Sequence, residues 1–299
     1  MNFNYFSRQI RGQLLNALQE PEAGEALEEI RLRTDKPILL KYHHTQEILP
    51  YQPTREEIVE TLERMCENSI YSYQNQLCQG YITLKEGNRV GVVGNAVMKE
   101  GKISNLNYIS SLNIRINKQI IGCSTKIMGK IINPEEGSIY NTLIISSPGA
   151  GKTTLLKDMV RKISNGLEYE ENGIVKQFEG LTVGVVDERS EIAAMNRGSM
   201  QNDLGIRTDV LDNVPKAIGM KMMIRSMAPQ VIVADEIGGE EDIEAIRYAL
   251  CCGVKGIFTA HAADLEDIKK NKALYPLIKE NLIERVVCIS RKREYIVLK

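Results

Sequence analysis

The stretch that most constrains the fold is residues 139–155, where an apolar run leads through a small-residue loop into a helical pattern. It reads Ile-Tyr-Asn-Thr-Leu-Ile-Ile-Ser-Ser-Pro-Gly-Ala-Gly-Lys-Thr-Thr-Leu. The run Leu143-Ile144-Ile145 predicts a buried strand, and the apolar positions from Leu155 to Ile163 recur at helical spacing. A strand, a glycine-containing loop and a helix in this order are the context that a phosphate-binding loop requires.

We expect the loop and the first helical turn to bind a nucleotide through its phosphates. The candidate residues are Ser147, Pro148, Gly149, Ala150, Gly151, Lys152, Thr153 and Thr154. Gly149 and Gly151 let backbone N–H groups turn toward phosphate oxygens, and the helix N-terminus adds partial positive charge. Lys152 is predicted to reach the β- and γ-phosphates, and the Thr153 hydroxyl to bind Mg²⁺. Ser146 stands where the pattern G-x-x-x-x-G-K-[ST] has its first glycine, and a glycine-rich turn with a surface lysine is the competing interpretation.

Three further polar clusters follow apolar strands downstream of this loop. They are Asp187-Glu188-Arg189, Asp235-Glu236 and Thr259-Ala260-His261. Strands that alternate with helices predict a doubly wound parallel sheet. Because the carboxyl ends of parallel strands meet at one edge, where ligands bind, we expect these clusters to converge beside the phosphate loop.

The acidic residues of these clusters are candidates for metal binding and general base chemistry. Val-Ile-Val-Ala-Asp-Glu is typical of a Walker B motif when a phosphate loop precedes it, so Asp235 is predicted to hold the hydration shell of Mg²⁺. Glu236 is predicted to polarise the attacking water, and Glu188 is the alternative base. A structural ion pair between Asp187 and Arg189 is the other interpretation of the first cluster.

A histidine and several arginines complete the candidate set. His261 is predicted to contact or sense the γ-phosphate, with a purely structural role as the alternative. Guanidinium groups can neutralise the charge that develops during phosphoryl transfer. The candidates are Arg89, Arg115, Arg189, Arg207 and Arg225. Arg225 carries the most weight, because it ends a predicted helix that leads into the Asp235 strand.

The chain is predicted to contain two domains. Residues 1–134 combine an amphipathic first helix with short strands and hairpins, which predicts a small α+β domain. The turn-forming residues 133–137 mark the boundary, and residues 135–299 form the phosphate-loop domain. Within it, the acidic residues 168–172 are predicted to form a solvated loop.

The composition excludes several classes of protein. The formal net charge is −1 with 26% charged residues, so a global basic field for nucleic acid is absent. The sequence contains no run of about 18 apolar residues, so no membrane span is predicted. The six cysteines form no C-x-x-C pair and no zinc spacing, which favours a reducing cytosolic setting. We expect no metal site other than that of the Mg²⁺ bound with a nucleotide.

Across nearly its whole length the sequence resembles the stage III sporulation protein AA family. The resemblance rests on Ser-Pro-Gly-Ala-Gly-Lys-Thr-Thr-Leu-Leu, Val-Gly-Val-Val-Asp-Glu-Arg-Ser-Glu-Ile-Ala, Gly-Ile-Arg-Thr-Asp-Val-Leu-Asp, Pro-Lys-Ala-Ile-Gly-Met and Ile-Arg-Ser-Met-Ala-Pro. That family is similar to the type II and type IV secretion ATPases, which are hexameric motors. The resemblance therefore implies a P-loop NTPase fold of the RecA-like, secretion-ATPase type.

The resemblance also assigns the motifs. Ser147–Thr154 matches the Walker A loop, and Asp235-Glu236 lies at Walker B. Asp187-Glu188 falls at the acidic "Asp box" in a different local sequence, so Glu188 and Glu236 both stay candidates for the base. Thr259-Ala260-His261 resembles the "His box", and Arg225 resembles the arginine that precedes Walker B.

By this resemblance the chain is expected to be a cytoplasmic, Mg²⁺-dependent ATPase of the mother cell in endospore-forming bacteria. It would form a hexameric ring, act with membrane proteins of a secretion-like complex between mother cell and forespore, and bind no nucleic acid. Two alternatives stay open: a P-loop motor that handles nucleic acid, and a scaffold that binds nucleotide without turnover. The near-neutral charge counts against the first, and the pair Asp235-Glu236 against the second.

Overall fold

The computed structural model describes residues 1–18, 27–42, 45–171, 173–290 and 294–298 of the chain. The chain divides into two compact units. The N-terminal unit comprises Met1–Asn117 together with Asn196–Gln201, and the C-terminal unit comprises Lys118–Met195 together with Asn202–Lys299. Each unit has a hydrophobic core of its own.

The division after Asn117 differs from the boundary expected after residue 134. Residues 125–131 form a helix whose Ile127, Met128 and Ile131 are buried in the same cluster as the helix that follows the phosphate loop. The turn-forming residues 133–137 connect two short antiparallel strands, so they are a hairpin turn inside the C-terminal unit and not a linker.

The N-terminal unit is an antiparallel sheet covered by helices on one face. In its described residues the helices are α1 (Arg8–Ala17), α2 (Arg55–Met65) and α3 (Gln74–Cys78), and the strands are β1 (Leu27–Arg33), β2 (Lys36–Tyr42), β3 (Gln46–Leu49), β4 (Tyr81–Thr83), β5 (Arg89–Lys99) and β6 (Lys102–Arg115). Short 3₁₀ turns lie at Phe3–Tyr5, Ile70–Tyr73 and Lys85–Gly87. The strand order is β3-β2-β1-β6-β5-β4.

Amphipathic patterning explains this packing. Ile10 and Leu14, on one face of α1, are fully buried against alternate residues of the sheet such as Ile30 and Leu32. Helix α2 begins with a capping box, as the residues Thr54 and Glu57 at this spacing favour: the Thr54 hydroxyl accepts the N–H of Glu57, whose carboxylate accepts the N–H of Thr54. Strands β4 and β5 pair antiparallel as one of the hairpins expected in this part of the chain.

The C-terminal unit alternates strands with helices. In its described residues the helices are α4 (Thr125–Ile131), α5 (Lys152–Asn165), α6 (Lys216–Met227), α7 (Glu240–Cys251), α8 (Leu265–Lys270) and α9 (Tyr275–Lys279). The strands are β7 (Ile132–Asn133), β8 (Ser138–Ile139), β9 (Thr142–Ser146), β10 (Gly166–Glu171), β11 (Ile174–Glu179), β12 (Val183–Asp187), β13 (Thr208–Asp212), β14 (Val231–Ala234), β15 (Lys255–His261), β16 (Arg285–Ile289) and β17 (Tyr295–Leu298).

The main sheet of this unit has the order β13-β12-β14-β15-β9-β16-β17. Neighbouring strands are parallel from β13 to β16, and the edge strand β17 is antiparallel. The strand β15 therefore lies between β9, which leads into the phosphate loop, and β14, which leads into Asp235-Glu236. The predicted parallel α/β sheet is confirmed, and its topology places the strand-end clusters at one edge.

The expectation of a solvated loop is wrong for residues 168–171, and residue 172 of that expectation lies outside the described residues. Strand β10 pairs antiparallel with β11, and Leu167 is aligned with Phe178. Glu168 and Glu170 are exposed, whereas Tyr169 between them is buried against the core. Glu168 and Glu170 thus lie on the exposed face of a hairpin, and their charge conceals its alternating pattern.

Across the described ranges, no helix is both long enough and apolar enough to cross a membrane.

Candidate active site

The phosphate loop leaves a strand that is buried along its whole length, β9, and ends at the first turn of α5. Gly149 has a φ of 76°, and Gly151, the N-cap of α5, has a φ of 99°. A Cβ added to either glycine would meet no atom within 4 Å. Glycine is therefore required for its left-handed backbone and not for space, as a loop that turns its N–H groups inward demands.

Lys152 is buried at the start of α5 and points back along the loop. Its Nζ donates to the Ser146 carbonyl at 3.2 Å, lies 3.3 Å from the Ser146 Oγ, and lies 3.0 Å from the His261 Nδ1. Burial lowers the pKa of Lys152, while the charges of Asp235 and Glu236 oppose that shift. The three N–H groups of the ammonium thus match three acceptors, which are replaceable by phosphate oxygens.

His261 connects Lys152 to the acidic residue Glu236. Because the Lys152 ammonium can only donate, the His261 Nδ1 acts as the acceptor, and its proton is on Nε2. Nε2 lies 2.9 Å from the Glu236 Oε1 and donates to it. Arg189 donates to the other carboxylate oxygen, Oε2, at 2.8 Å. The Glu236 carboxylate is therefore held on both oxygens, and Arg189 pairs with it rather than with Asp187.

Asp235 lies beside the first turn of α5. Its Oδ2 accepts the Thr153 hydroxyl at 2.7 Å, and its Oδ1 accepts the hydroxyl of Thr259. The backbone N–H of Glu236 donates to the Thr259 Oγ1 at 2.8 Å and lies 3.0 Å from the Asp235 Oδ1. The Thr153 hydroxyl and a carboxylate oxygen of Asp235 are thus adjacent beside the phosphate loop. Both are hard oxygen ligands of the kind that Mg²⁺ prefers.

Asp187 has a structural role, because its carboxylate binds the backbone of the loop after β12. Its carboxylate is buried and accepts the backbone N–H groups of Glu191, Ile192 and Ala193 at 2.8–2.9 Å. Burial raises the pKa of Asp187 to about 6, against the lowering effect of these hydrogen bonds. The charge of Asp212 contributes to this raised value. Asp187 thus organises the loop that leaves β12.

Glu188, the alternative base, forms an ion pair with Lys216 at the start of α6. Glu188 and Glu236 nevertheless line the same cleft between the ends of β12 and β14. The two candidates therefore differ in their partners: Glu188 is paired with a lysine, whereas Glu236 is linked through His261 to the phosphate-loop lysine.

Arg225 occupies a different environment from the other candidates. It is exposed in the last turn of α6, and its guanidinium carbon lies 6.0 Å from the centroid of the Tyr248 ring on α7. A hydrogen bond with Tyr248 raises the pKa of Arg225. The geometry thus brings together Lys152, Thr153, Asp235, Glu236 and His261, and associates Arg225 with Tyr248.

Two residues of this site were not assigned a role from the sequence. The Thr259 hydroxyl contacts both Asp235 and Glu236. Lys157 is buried, and burial lowers its pKa, while the charges of Asp187, Glu191 and Asp235 oppose that shift. The strand register explains the Thr259 contacts: Ala234 aligns with Phe258, so the next residues, Asp235 and Thr259, are neighbours on one sheet face.

Comparison with known proteins identifies the family and the fold. The family described as Sporulation stage III, protein AA, matches residues 3–297. The Stage III sporulation protein AA of Bacillus subtilis (strain 168) is 39% identical over 280 residues, which cover 93% of this chain and 88% of that protein.

Among solved structures, the Legionella pneumophila ATPase DotB superposes with a TM-score of 0.55 at 14% identity, over 96% of this chain and 79% of DotB. The pilus retraction motor PilT, solved with bound ADP, superposes with a TM-score of 0.54 at 14% identity, over 92% of this chain and 77% of PilT. At this identity the likeness shows the fold alone, which is P-loop and RecA-like. By the family match and the 39% identical relative, the chain belongs to the sporulation stage III protein AA family.

Proposed function

We propose that this chain is a Mg²⁺-dependent ATPase of the mother-cell cytoplasm. Its hydrolysis of ATP energises a secretion-like, membrane-associated complex between mother cell and forespore. The observation that carries the proposal is the linked set Lys152, His261 and Glu236 beside the Thr153–Asp235 pair. The sporulation family supports the setting, and the ATPase fold supports the chemistry.

Binding of the nucleotide starts from the phosphate loop. Gly149 and Gly151 allow the loop N–H groups to face the phosphates, and the N-terminus of α5 adds its dipole. Lys152 exchanges its contacts with Ser146 and His261 for oxygens of the β- and γ-phosphates. The loop thereby places the γ-phosphoryl group next to the His261–Glu236 pair.

Thr153 and Asp235 fit a Mg²⁺ ion. The described residues contain no group of three or more His, Cys, Asp or Glu side chains that could hold a metal. One carboxylate and one hydroxyl, completed by phosphates and water, are what Mg²⁺ uses in nucleotide sites. When bound, Mg²⁺ supplies charge neutralisation at the β- and γ-phosphate oxygens.

Glu236 acts as the general base. Its carboxylate accepts a proton from the water whose oxygen attacks the γ-phosphorus, and the bond from that phosphorus to the bridging oxygen breaks with its electron pair left on ADP. His261 and Arg189 fix the orientation of the carboxylate. We favour Glu236 over Glu188, because Glu188 is paired with Lys216 and has no described link to Lys152.

The proposed assembly is a homohexameric ring whose contacts close head to tail. Arg225 is exposed and lies against Tyr248, so we propose that it serves the nucleotide of a neighbouring copy. The partners are membrane proteins of the sporulation complex, and nucleic acid is not among them. Size measured by light scattering with ADP, with AMP-PNP and without nucleotide tests the ring: the expected result is a hexamer that depends on nucleotide.

Phosphate release from ATP tests the activity. Wild type is compared with Lys152→Ala, Glu236→Gln and Glu188→Gln at saturating Mg²⁺. We expect Lys152→Ala and Glu236→Gln each to lower kcat about 100-fold or more, and Glu188→Gln to lower it less than about tenfold. Activity that survives Glu236→Gln but not Glu188→Gln would move the base to β12. Binding without turnover in the wild type would favour a scaffold, and activity dependent on added DNA would favour a nucleic-acid motor.

A further inference from the structure

We propose that the hydroxyl of Thr259 positions both acidic residues at the end of β14, which makes Thr259 a positioning residue of the active site. The inference rests on the proposed ATPase function and deepens it. Thr259 lies on β15, is fully buried, and is surrounded by strands that lead to the phosphate loop on one side and to Asp235 on the other.

One oxygen atom of Thr259 makes two hydrogen bonds of opposite direction. It donates to the Asp235 Oδ1 and accepts the backbone N–H of Glu236 at 2.8 Å. The carbonyl of Thr259 also accepts the N–H of Ile237 at 2.8 Å. The residue thus contacts three consecutive positions of the chain as it leaves β14.

The backbone of Glu236 requires such support. Its φ is 51°, in the left-handed region that a glutamate seldom adopts. A conformation of this kind persists where the surrounding structure holds it in place, and such conformations cluster at functional sites. The Thr259 hydroxyl holds the N–H of Glu236 in this conformation, and the next functional residue of β15, His261, holds its carboxylate.

The same hydroxyl determines which oxygen of Asp235 faces the phosphate loop. With Oδ1 engaged by Thr259, Oδ2 is directed to the Thr153 hydroxyl at 2.7 Å. Threonine is suited to this position, because its branched side chain fits a strand and its hydroxyl can donate and accept at once. Valine has nearly the same shape but can neither donate nor accept a hydrogen bond. Comparison of threonine with valine at position 259 therefore distinguishes the effect of hydrogen bonding from that of packing.

The test compares Thr259→Val with Thr259→Ser in the full-length chain. Affinity for the non-hydrolysable analogue AMP-PNP is measured with and without Mg²⁺, and kcat and KM for ATP are measured in parallel. We expect Thr259→Val to lower kcat about 10–100-fold. The factor by which Mg²⁺ increases the affinity for AMP-PNP should fall by a similar amount, as is usual when a residue that orients a metal ligand is removed. Affinity without Mg²⁺ should change by less than about twofold, because the phosphate loop is intact, and Thr259→Ser should stay within about threefold of wild type throughout.

Equal behaviour of Thr259→Val and Thr259→Ser would overturn the inference and leave Thr259 with a packing role. Thermal unfolding of both variants without ligand checks the fold, and if Thr259→Val does not fold, Thr259→Ala against Thr259→Ser repeats the comparison with side chains of similar size. A wild type that binds no AMP-PNP overturns the proposed function together with the inference, whereas normal turnover with unaffected Thr259→Val overturns the inference alone.

Discussion

At the scale of single residues, the most informative feature is the set of hydrogen-bond and ion-pair partners that each charged side chain has. Lys152, His261, Glu236 and Arg189 form a continuous line of contacts from the phosphate loop to the loop after β12. None of these partnerships is local in sequence. The side chains reach one another because parallel strands end at a common edge.

Replacement of Arg189 by alanine should lower kcat and leave the free energy of unfolding nearly unchanged. Arg189 is 59% exposed, and exposed ion pairs contribute about 0–1 kcal/mol, so the free energy of unfolding should change by less than about 1 kcal/mol. Glu236 loses one of the two groups that orient its carboxylate, and kcat should fall about tenfold. Urea unfolding and steady-state phosphate release measure the two quantities. Arg64→Ala, which removes an exposed ion pair on α2, is the matched control and should leave kcat unchanged.

The left-handed backbone at Gly151 gives a second prediction. Alanine at a φ of 99° is strained, so Gly151→Ala should destabilise the chain by about 1–2 kcal/mol and weaken nucleotide binding. Gly12→Ala, in the middle of α1 with no atom within 4 Å of the added Cβ, should instead stabilise by up to about 1 kcal/mol. Thermal unfolding compares the two variants. A neutral Gly151→Ala would contradict the requirement for glycine in the loop.

At the scale of elements, Asp158 attaches the segment before α4 to the phosphate-loop helix. Its fully buried carboxylate accepts the N–H groups of Gly122 and Ser124, the Ser124 hydroxyl, and the guanidinium of Arg161. Burial alone would raise its pKa, but these hydrogen bonds hold the pKa of Asp158 at about 2. This carboxylate is one reason why residues 118–134 belong to the C-terminal unit.

We therefore expect Asp158→Asn to destabilise the chain by about 1–3 kcal/mol at pH 7. Because the folded-state pKa is depressed below the unfolded value of 3.8, the stabilisation is complete above about pH 4 and is lost as the pH falls toward 2. The difference between wild type and Asp158→Asn in urea unfolding should thus be constant from pH 5 to pH 8 and shrink below pH 4. A difference that grows on acidification would contradict this assignment. Asp203→Asn, at an exposed carboxylate, is the control.

The sequence predicted the elements that depend on local patterns. Residues 139–155, the apolar strands and the polar clusters at their ends were all recognisable, because spacing and strand-end chemistry are local properties. The hairpin of β10 and β11 was missed, because exposed glutamates alternate with its buried residues. The edge strand β13 was not predicted either, since Asp209 and Asp212 interrupt its apolar character.

The side-chain partners of the site residues could not be predicted, because they come from distant parts of the chain. Glu188 and Glu236 each follow an apolar strand, and only the folded chain distinguishes the Lys216 partner of one from the His261 partner of the other. The same holds for Thr259, whose hydroxyl was indistinguishable from that of any strand threonine. Residues 133–137 resembled a linker because turns and linkers share the same composition.

At the scale of the whole molecule, the notable feature is that the N-terminal unit is not one continuous stretch of sequence. Its segment Asn196–Gln201 comes from the middle of the C-terminal half. Within the N-terminal unit, Asn196 donates to the Thr83 carbonyl at 3.2 Å, Gln201 accepts the N–H of Glu86 at 2.9 Å, and Arg197 pairs with Glu67 at 2.7 Å. These contacts hold the segment in place.

Removal of those contacts should expose the segment to protease. In the full-length chain we expect the double variant Asn196→Ala, Gln201→Ala to be cut by trypsin after Arg197 several times faster than wild type, since two hydrogen bonds that restrain the backbone are lost. Cleavage at the other lysines and arginines of the same digest is the internal reference. An unchanged rate at Arg197, measured by mass spectrometry, would show that these two side chains do not restrain the segment.

The discontinuous N-terminal unit also has a consequence for how genes of this family can recombine. A single crossover near codon 117 would join the first 117 residues of one parent to a segment 196–201 from the other. Residues 196, 197 and 201 would then meet foreign partners at positions 83, 67 and 86. The contacts to positions 83 and 86 are to backbone atoms, which either parent supplies, whereas the Arg197–Glu67 ion pair needs two matching side chains. The N-terminal unit is therefore not inherited as a contiguous cassette, and position 197 must stay compatible with position 67, more than one hundred codons upstream.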